Sequence, residues 1–170
     1  MKYFYLFLSI GSLLCFLILL NVLPLYINKN LLREYKNINE LKNSLKIQNL
    51  PLPSYLPDSI NWPPSKILGQ STPYLAIVLV LNSNIKNEPI LYVGISESKI
   101  FKYPDIICSC NNSKSFTTNI NGHPAKLKAG FCDEIINCSE IIIDNGKYQI
   151  VLKSKMQLPI LLRISESINM

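Results

Sequence analysis

The chain reads as an α+β protein: an N-terminal transmembrane helix, then a small antiparallel β-sheet domain with a C-terminal helix packed on it. Three observations carry that reading. A charge-free apolar run fills the N-terminus, short β-branched segments separated by turn residues fill the middle, and an amphipathic segment closes the chain. The predicted organisation is a membrane signal anchor over residues 1–27, a helical stalk over 28–50, and an extracytoplasmic β-rich domain over 51–170.

The anchor comes first. Between Phe4 and Ile27 no residue is charged. A helix needs roughly 20 apolar residues to cross a bilayer. Pro24 marks an exit turn, and Tyr3, Tyr5 and Tyr26 lie near the two ends, where amphipathic rings favour the interface. The run is longer than a secretory signal core and no small-x-small cleavage pattern follows it. Cys15 lies inside the run, without small residues just before it, and reads as a buried thiol.

Charge supports the same layout. The chain carries a net +6. Residues 51–170 hold eleven Lys/Arg against nine Asp/Glu, whereas Lys29, Arg33, Lys36, Lys42 and Lys46 face only Glu34 and Glu40. The basicity therefore concentrates beside the anchor, as a solvated stalk or a contact for anionic headgroups. A nucleic-acid partner is not indicated, because the domain has no basic cluster interleaved with aromatics. A positive-inside count alone would place the C-terminal part in the cytoplasm, although long domains translocate whatever their flanking charge.

From Asn28 to Ile47, Leu31, Leu32, Tyr35, Ile38, Leu41 and Leu45 recur at helical spacing and predict a stalk helix. Its apolar stripe would pack on the domain or on another chain, so Leu31, Ile38, Leu41 and Leu45 form a candidate interaction surface. The segment from Pro51 to Lys66 has five prolines, which forbid regular helix or central strand. Its Tyr55, Leu56, Ile60 and Trp62 are too apolar for a free linker, so it should lie on the domain with Trp62 part-buried. Trp62 joins the candidate surface, with packing as the commoner role.

Strands are expected at Tyr74 to Leu81, Pro89 to Ser96, Ile106 to Cys108, Phe116 to Ile120, Ala125 to Lys128, Glu140 to Ile143 and Lys147 to Lys153. Asn121-Gly122 and Asp144-Asn145-Gly146 are turn signals. Gln157 to Ile168 should form the closing helix, with Pro159 in its first turn.

Four cysteines lie beyond the anchor: Cys108, Cys110, Cys132 and Cys138. An even number in a small domain behind a membrane signal predicts two disulfides. Cys108 and Cys110 are too close in sequence to pair comfortably with each other. Two connectivities remain, each joining this pair to Cys132 and Cys138. The rivals are reduced structural thiols and a zinc site, whose usual knuckle spacing is absent. Two segments, Asn111-Asn112-Ser113 and Asn137-Cys138-Ser139, fit the N-glycosylation pattern, which matters only on a eukaryotic secretory route.

The C-terminal half, NINGHPAKLKAG then EIIIDNGKYQIVLKS then LPILLRISESI, with LPSYLPDSI upstream, resembles the DUF4367 family of small β-rich domains in membrane-anchored envelope proteins. The matching residues are Asn121-Gly122 with Ala125, Gly146 with Tyr148, and Ile164 to Ile168. This chain departs at Ser59 and Ile142-Ile143, in Gly146 and Tyr148 standing one residue closer than the pattern, and in its four cysteines. The resemblance implies a domain akin to envelope regulators or lipoprotein-carrier-like proteins, and does not imply an active site.

No phosphate loop, nucleophile elbow or metalloprotease helix is present in the sequence. His123 is the single histidine and reads as a turn residue. The expected function is a non-enzymatic, single-pass membrane protein, without a cofactor or bound metal. Its extracytoplasmic domain would bind a partner protein or envelope component. The alternatives are a structural subunit of a membrane complex, or a thiol-based redox protein using Cys108 and Cys110 with His123.

Overall fold

The computed structural model describes residues 11–14, 16–18, 32–107, 109–132 and 136–170. The chain divides into two units, Met1–Leu31 and Leu32–Met170. In the first, residues 11–14 and 16–18 are helical and their apolar side chains are exposed. Most of the predicted anchor, and Leu31, lie outside the described residues. Among the described residues no helix is long and apolar enough to cross a membrane.

The second unit is built on one antiparallel sheet. Its strands are β1 (Arg33–Tyr35), β2 (Lys66–Gln70), β3 (Ala76–Asn82), β4 (Pro89–Ser96), β5 (Asn111–Ile120), β6 (His123–Cys132), β7 (Ile136–Asp144) and β8 (Gln149–Ser154). Two helices accompany them, α1 (Ile38–Leu45) and α2 (Leu158–Glu166). The spatial order is β1-β2-β3-β4-β8-β7-β6-β5. The β5–β6 and β7–β8 hairpins turn at Asn121-Gly122 and Asn145-Gly146. Asn121, Gly122 and Gly146 have φ of 52°, 82° and 85°, which is why those glycines are needed.

Alternation along the strands sorts the side chains onto two faces. Ile67, Ile77, Leu79, Val93, Ile95, Ile150, Leu152, Ile141, Ile143 and Leu127 share the helical face, where α1, α2 and the Pro-rich segment cover them. Leu68, Val78, Val80 and Tyr92 share the opposite face, with Ile107, Phe101 and Tyr103 packed over them. The segment between β4 and β5 thus crosses this second face. The expectation of a helix on one face held, but cover on both faces of the central strands was not foreseen. It explains why β3 (AIVLVLN) is an unbroken apolar run rather than an alternating one. Ile106 and Ile107 accordingly belong to the crossing segment, not to the third strand expected there.

The predicted stalk is corrected. Arg33–Tyr35 is a strand paired with β2, and only Ile38–Leu45 is helical. Asn37 caps α1 by accepting the Glu40 amide at 2.8 Å, while the Glu40 carboxylate accepts the Lys36 amide at 2.9 Å. Lys46 at φ 55° ends the helix. The compact unit therefore begins at Leu32 rather than Pro51. The break at Lys36-Asn37 lets Arg33–Tyr35 pair with β2 while α1 buries Leu41 completely. Gly69 on β2 makes room for it. A Cβ there would stand 2.5 Å from Leu41 Cδ1 and 2.9 Å from Leu45 Cδ1.

The Pro-rich segment lies along the domain, as expected. Pro53 bridges to Ile168 and Ile60 to Ser83. Trp62, however, is 50% exposed rather than part-buried. Its neighbour Asn61 makes the contact with the domain, its amide donating to the Asn82 carbonyl at 2.8 Å, which leaves the indole outside.

Candidate functional site

The predicted interaction stripe does not form a surface. Leu41 is fully buried, while Ile38 and Leu45 are partly buried against the same core. Leu31 and Cys108 lie outside the described residues. Of the described residues of that predicted surface, Trp62 is the exposed one.

The exposed region is instead the outer hairpin, β5 and β6. Asn111 is exposed, as is every residue from Ser113 to Asn119. β5 is the terminal strand of the sheet, so among the described residues no strand pairs with its outer backbone edge. Helix α2 covers β7 and β8 and meets the hairpin at its turn, where the Asn121 side-chain amide donates to the Glu166 carbonyl at 3.0 Å. Its approach is anchored where the Ser139 hydroxyl donates to the Met156 carbonyl at 2.9 Å. Beyond that point Asn137, Phe131 and Asn111 are exposed.

Electrostatically the hairpin is basic. Residues 109–132 hold Lys114, Lys126 and Lys128 and no Asp or Glu. Lys128 is held by Glu140 at 3.2 Å, which Lys153 also approaches at 3.7 Å. Among the described residues Lys114 and Lys126 have no carboxylate partner. On the non-helical face Thr117, Asn119, Lys126, Ile142 and Asp144 line a shallow depression of about 520 Å³. Asp144 is ion-paired with Lys99. The Lys99 ammonium and the Gly146 amide hold its carboxyl below the usual range.

The cysteines gather at the far corner of the hairpin. Cys110 and Cys138 are disulfide-bonded, and Cys132 is disulfide-bonded as well. Cys138 and Cys132 are buried. Gly130, paired with Cys138, permits the crossing. A Cβ on it would stand 2.5 Å from the Asn111 carbonyl oxygen, a backbone atom that cannot swing aside. The register shift between Asn111 and Lys114 bends the start of β5 over β6 and brings Cys110 to Cys138. Gly130→Ala is therefore expected to destabilise the domain by about 1–3 kcal/mol. It should also slow oxidative pairing of Cys110 with Cys138, read by chemical denaturation and by the rate of thiol loss on refolding.

His123 opens β6 and Cys132 ends it. Nine residues of strand separate them by roughly 30 Å. The histidine and the cysteine corner thus occupy opposite ends of the sheet. Among the described residues no group of three His, Cys, Asp or Glu side chains is placed to hold a metal ion. On the crossing face Tyr92 and Tyr103 stack edge to face at 5.9 Å, and a Cβ on Gly94 would overlap the Tyr103 ring. Burial pushes both phenols up, so they stay neutral. The Tyr103 hydroxyl donates to the Gln149 carbonyl at 3.2 Å, which pins the crossing segment to β8.

The hairpin was half legible beforehand. Asn121-Gly122 located its turn, but the strands run to Asn111 and Cys132, well past the expected ends. Their polar outer halves lack the apolar alternation that marks a strand.

The molecule is thus a two-layer α+β domain whose eight-stranded sheet leaves one stapled, basic hairpin open to solvent. No family model matches the chain, and comparison with curated proteins and with solved structures found no match.

Proposed function

We propose that this is a non-enzymatic, membrane-anchored envelope protein. Its domain lies outside the cytoplasm and binds a partner protein or envelope component through the β5–β6 hairpin. The observation that carries the proposal is the hairpin itself. Its outer strand is exposed from Ser113 to Asn119, no further strand lies beside it among the described residues, and the Cys110–Cys138 bond fastens its base. Disulfides persist in oxidising compartments, which favours an extracytoplasmic domain. The charge-free run from Phe4 to Ile27, and the exposed Leu13, Leu14, Phe16 and Leu17 within it, favour an anchor. The resemblance to DUF4367 domains agrees with this assignment.

The competing readings lose support. A docking subunit would have used the α1 stripe, whose Leu41 is buried. A thiol enzyme would have needed His123 beside a free thiolate, and Cys110 is oxidised at the far end of the sheet.

Alkylation of intact membranes, with and without prior reduction, tests the compartment. Cysteines that react only after reduction support the proposal; immediate reaction places the domain on the reducing side and overturns it. A photo-reactive residue at Thr117 tests the surface. Adducts there and not at Ile38 are expected, and the reverse pattern would favour the subunit reading.

A further inference from the structure

The helical face of the outer hairpin carries an arrangement that the sequence does not reveal. Register pairs Phe131 with Asn111 on one side and with Asn137 on the other. Directly opposed side chains in antiparallel strands stand about 5 Å apart. An aromatic ring, 47% exposed, therefore lies between two exposed amides drawn from positions 26 residues apart in sequence. Four residues back along β6, Leu127 is paired with Phe116, which is 50% exposed. The two rings are separated by roughly 13 Å along the strand. Between them Lys114 is paired with Ala129, a cation beside a small residue.

We propose that this surface, Phe131 with Asn111, Asn137, Lys114 and Phe116, binds a linear acidic polysaccharide. The inference rests on the hairpin being the binding region, and names its ligand class. Each exposed ring offers an apolar face to the C–H side of a pyranose. Each asparagine amide both donates and accepts, matching neighbouring hydroxyl groups. Lys114 has no carboxylate partner among the described residues and stands ready for an acid group on the chain. The spacing of the rings suits an extended ligand several sugars long. A protein interface would instead want a contiguous apolar centre. Here Lys114 and Ala129 separate the two rings.

The test uses the full chain in detergent, titrated by calorimetry with linear oligogalacturonate and, as the neutral counterpart, linear maltooligosaccharide. Saturable binding of the acidic oligomer is expected, with weaker or no binding of the neutral one. Phe131→Ala should weaken it roughly ten-fold, and Phe131→Tyr should restore it. Lys114→Gln should weaken binding and remove its dependence on salt. Ile85→Ala, at an exposed position between β3 and β4, should leave it unchanged. No saturable binding of oligogalacturonate, or binding indifferent to Phe131→Ala, overturns the proposal. So does an intact mass showing that Asn111 or Asn137 itself carries a glycan. If a photo-reactive residue at Thr118, on the same face as Lys114 and Phe116, captures only a protein, the hairpin remains the binding region and the polysaccharide is excluded.

Discussion

Replacing Leu41 with alanine is expected to cost the domain about 2–5 kcal/mol of stability, the range for emptying a closed core site. Leu41 is 0% exposed and is seated over Gly69, where no neighbouring Cβ exists to move into the gap. Its helix is short, eight residues, so α1 depends on this contact more than on its own propensity. Ile38→Ala, at a partly buried position of the same helix, should cost less than half as much. Urea denaturation of the two variants compares them directly. Equal, small losses would mean that α1 is not docked on β2, and would return the stripe to the role of an outward surface.

Loss of the Cys110–Cys138 bond is the second large effect. The bond closes a loop of 28 residues, which the chain-entropy model values at about 3–4 kcal/mol. In a domain of this size that corresponds to a melting point lower by roughly 10 °C. Cys110→Ser and the double variant with Cys138→Ser should fall by similar amounts, because either removes the same cross-link. Amide exchange should accelerate first in β5 and the adjoining end of β6, while β3 and β4, buried on both faces, keep their protection. If melting is unchanged, the hairpin is held by its strand pairing alone. The staple would then be dispensable to the fold.

The two predictions concern opposite edges of the sheet, and they were not equally visible in the sequence. The cysteines announced cross-links, and their spacing narrowed the connectivities to two, because that argument needs only chain geometry. That Cys110 takes Cys138 depended on the bulge at Asn111–Lys114 and on Gly130, features set by how β5 lies over β6. The stripe from Leu31 to Leu45 was read from periodicity, which reports which residues want burial and not what buries them. Leu41 found its cover in the notch at Gly69, contributed by a strand 28 residues away that was not foreseen at all. β2 was missed because it is short and follows the prolines, and the interior of a sheet supplies what its own pattern lacks.

By itself the sequence determined the α+β class, the β4 boundaries, the two Gly turns and the closing helix. Each of those follows from local stereochemistry: side-chain alternation, positive φ at glycine, or proline in a first helical turn. Only the tertiary structure decided the order of the strands, the burial of Leu41 and the meeting of Asn111, Phe131 and Asn137. Those depend on register between strands distant in the chain, and register is set by the burial of whole faces rather than by any one segment.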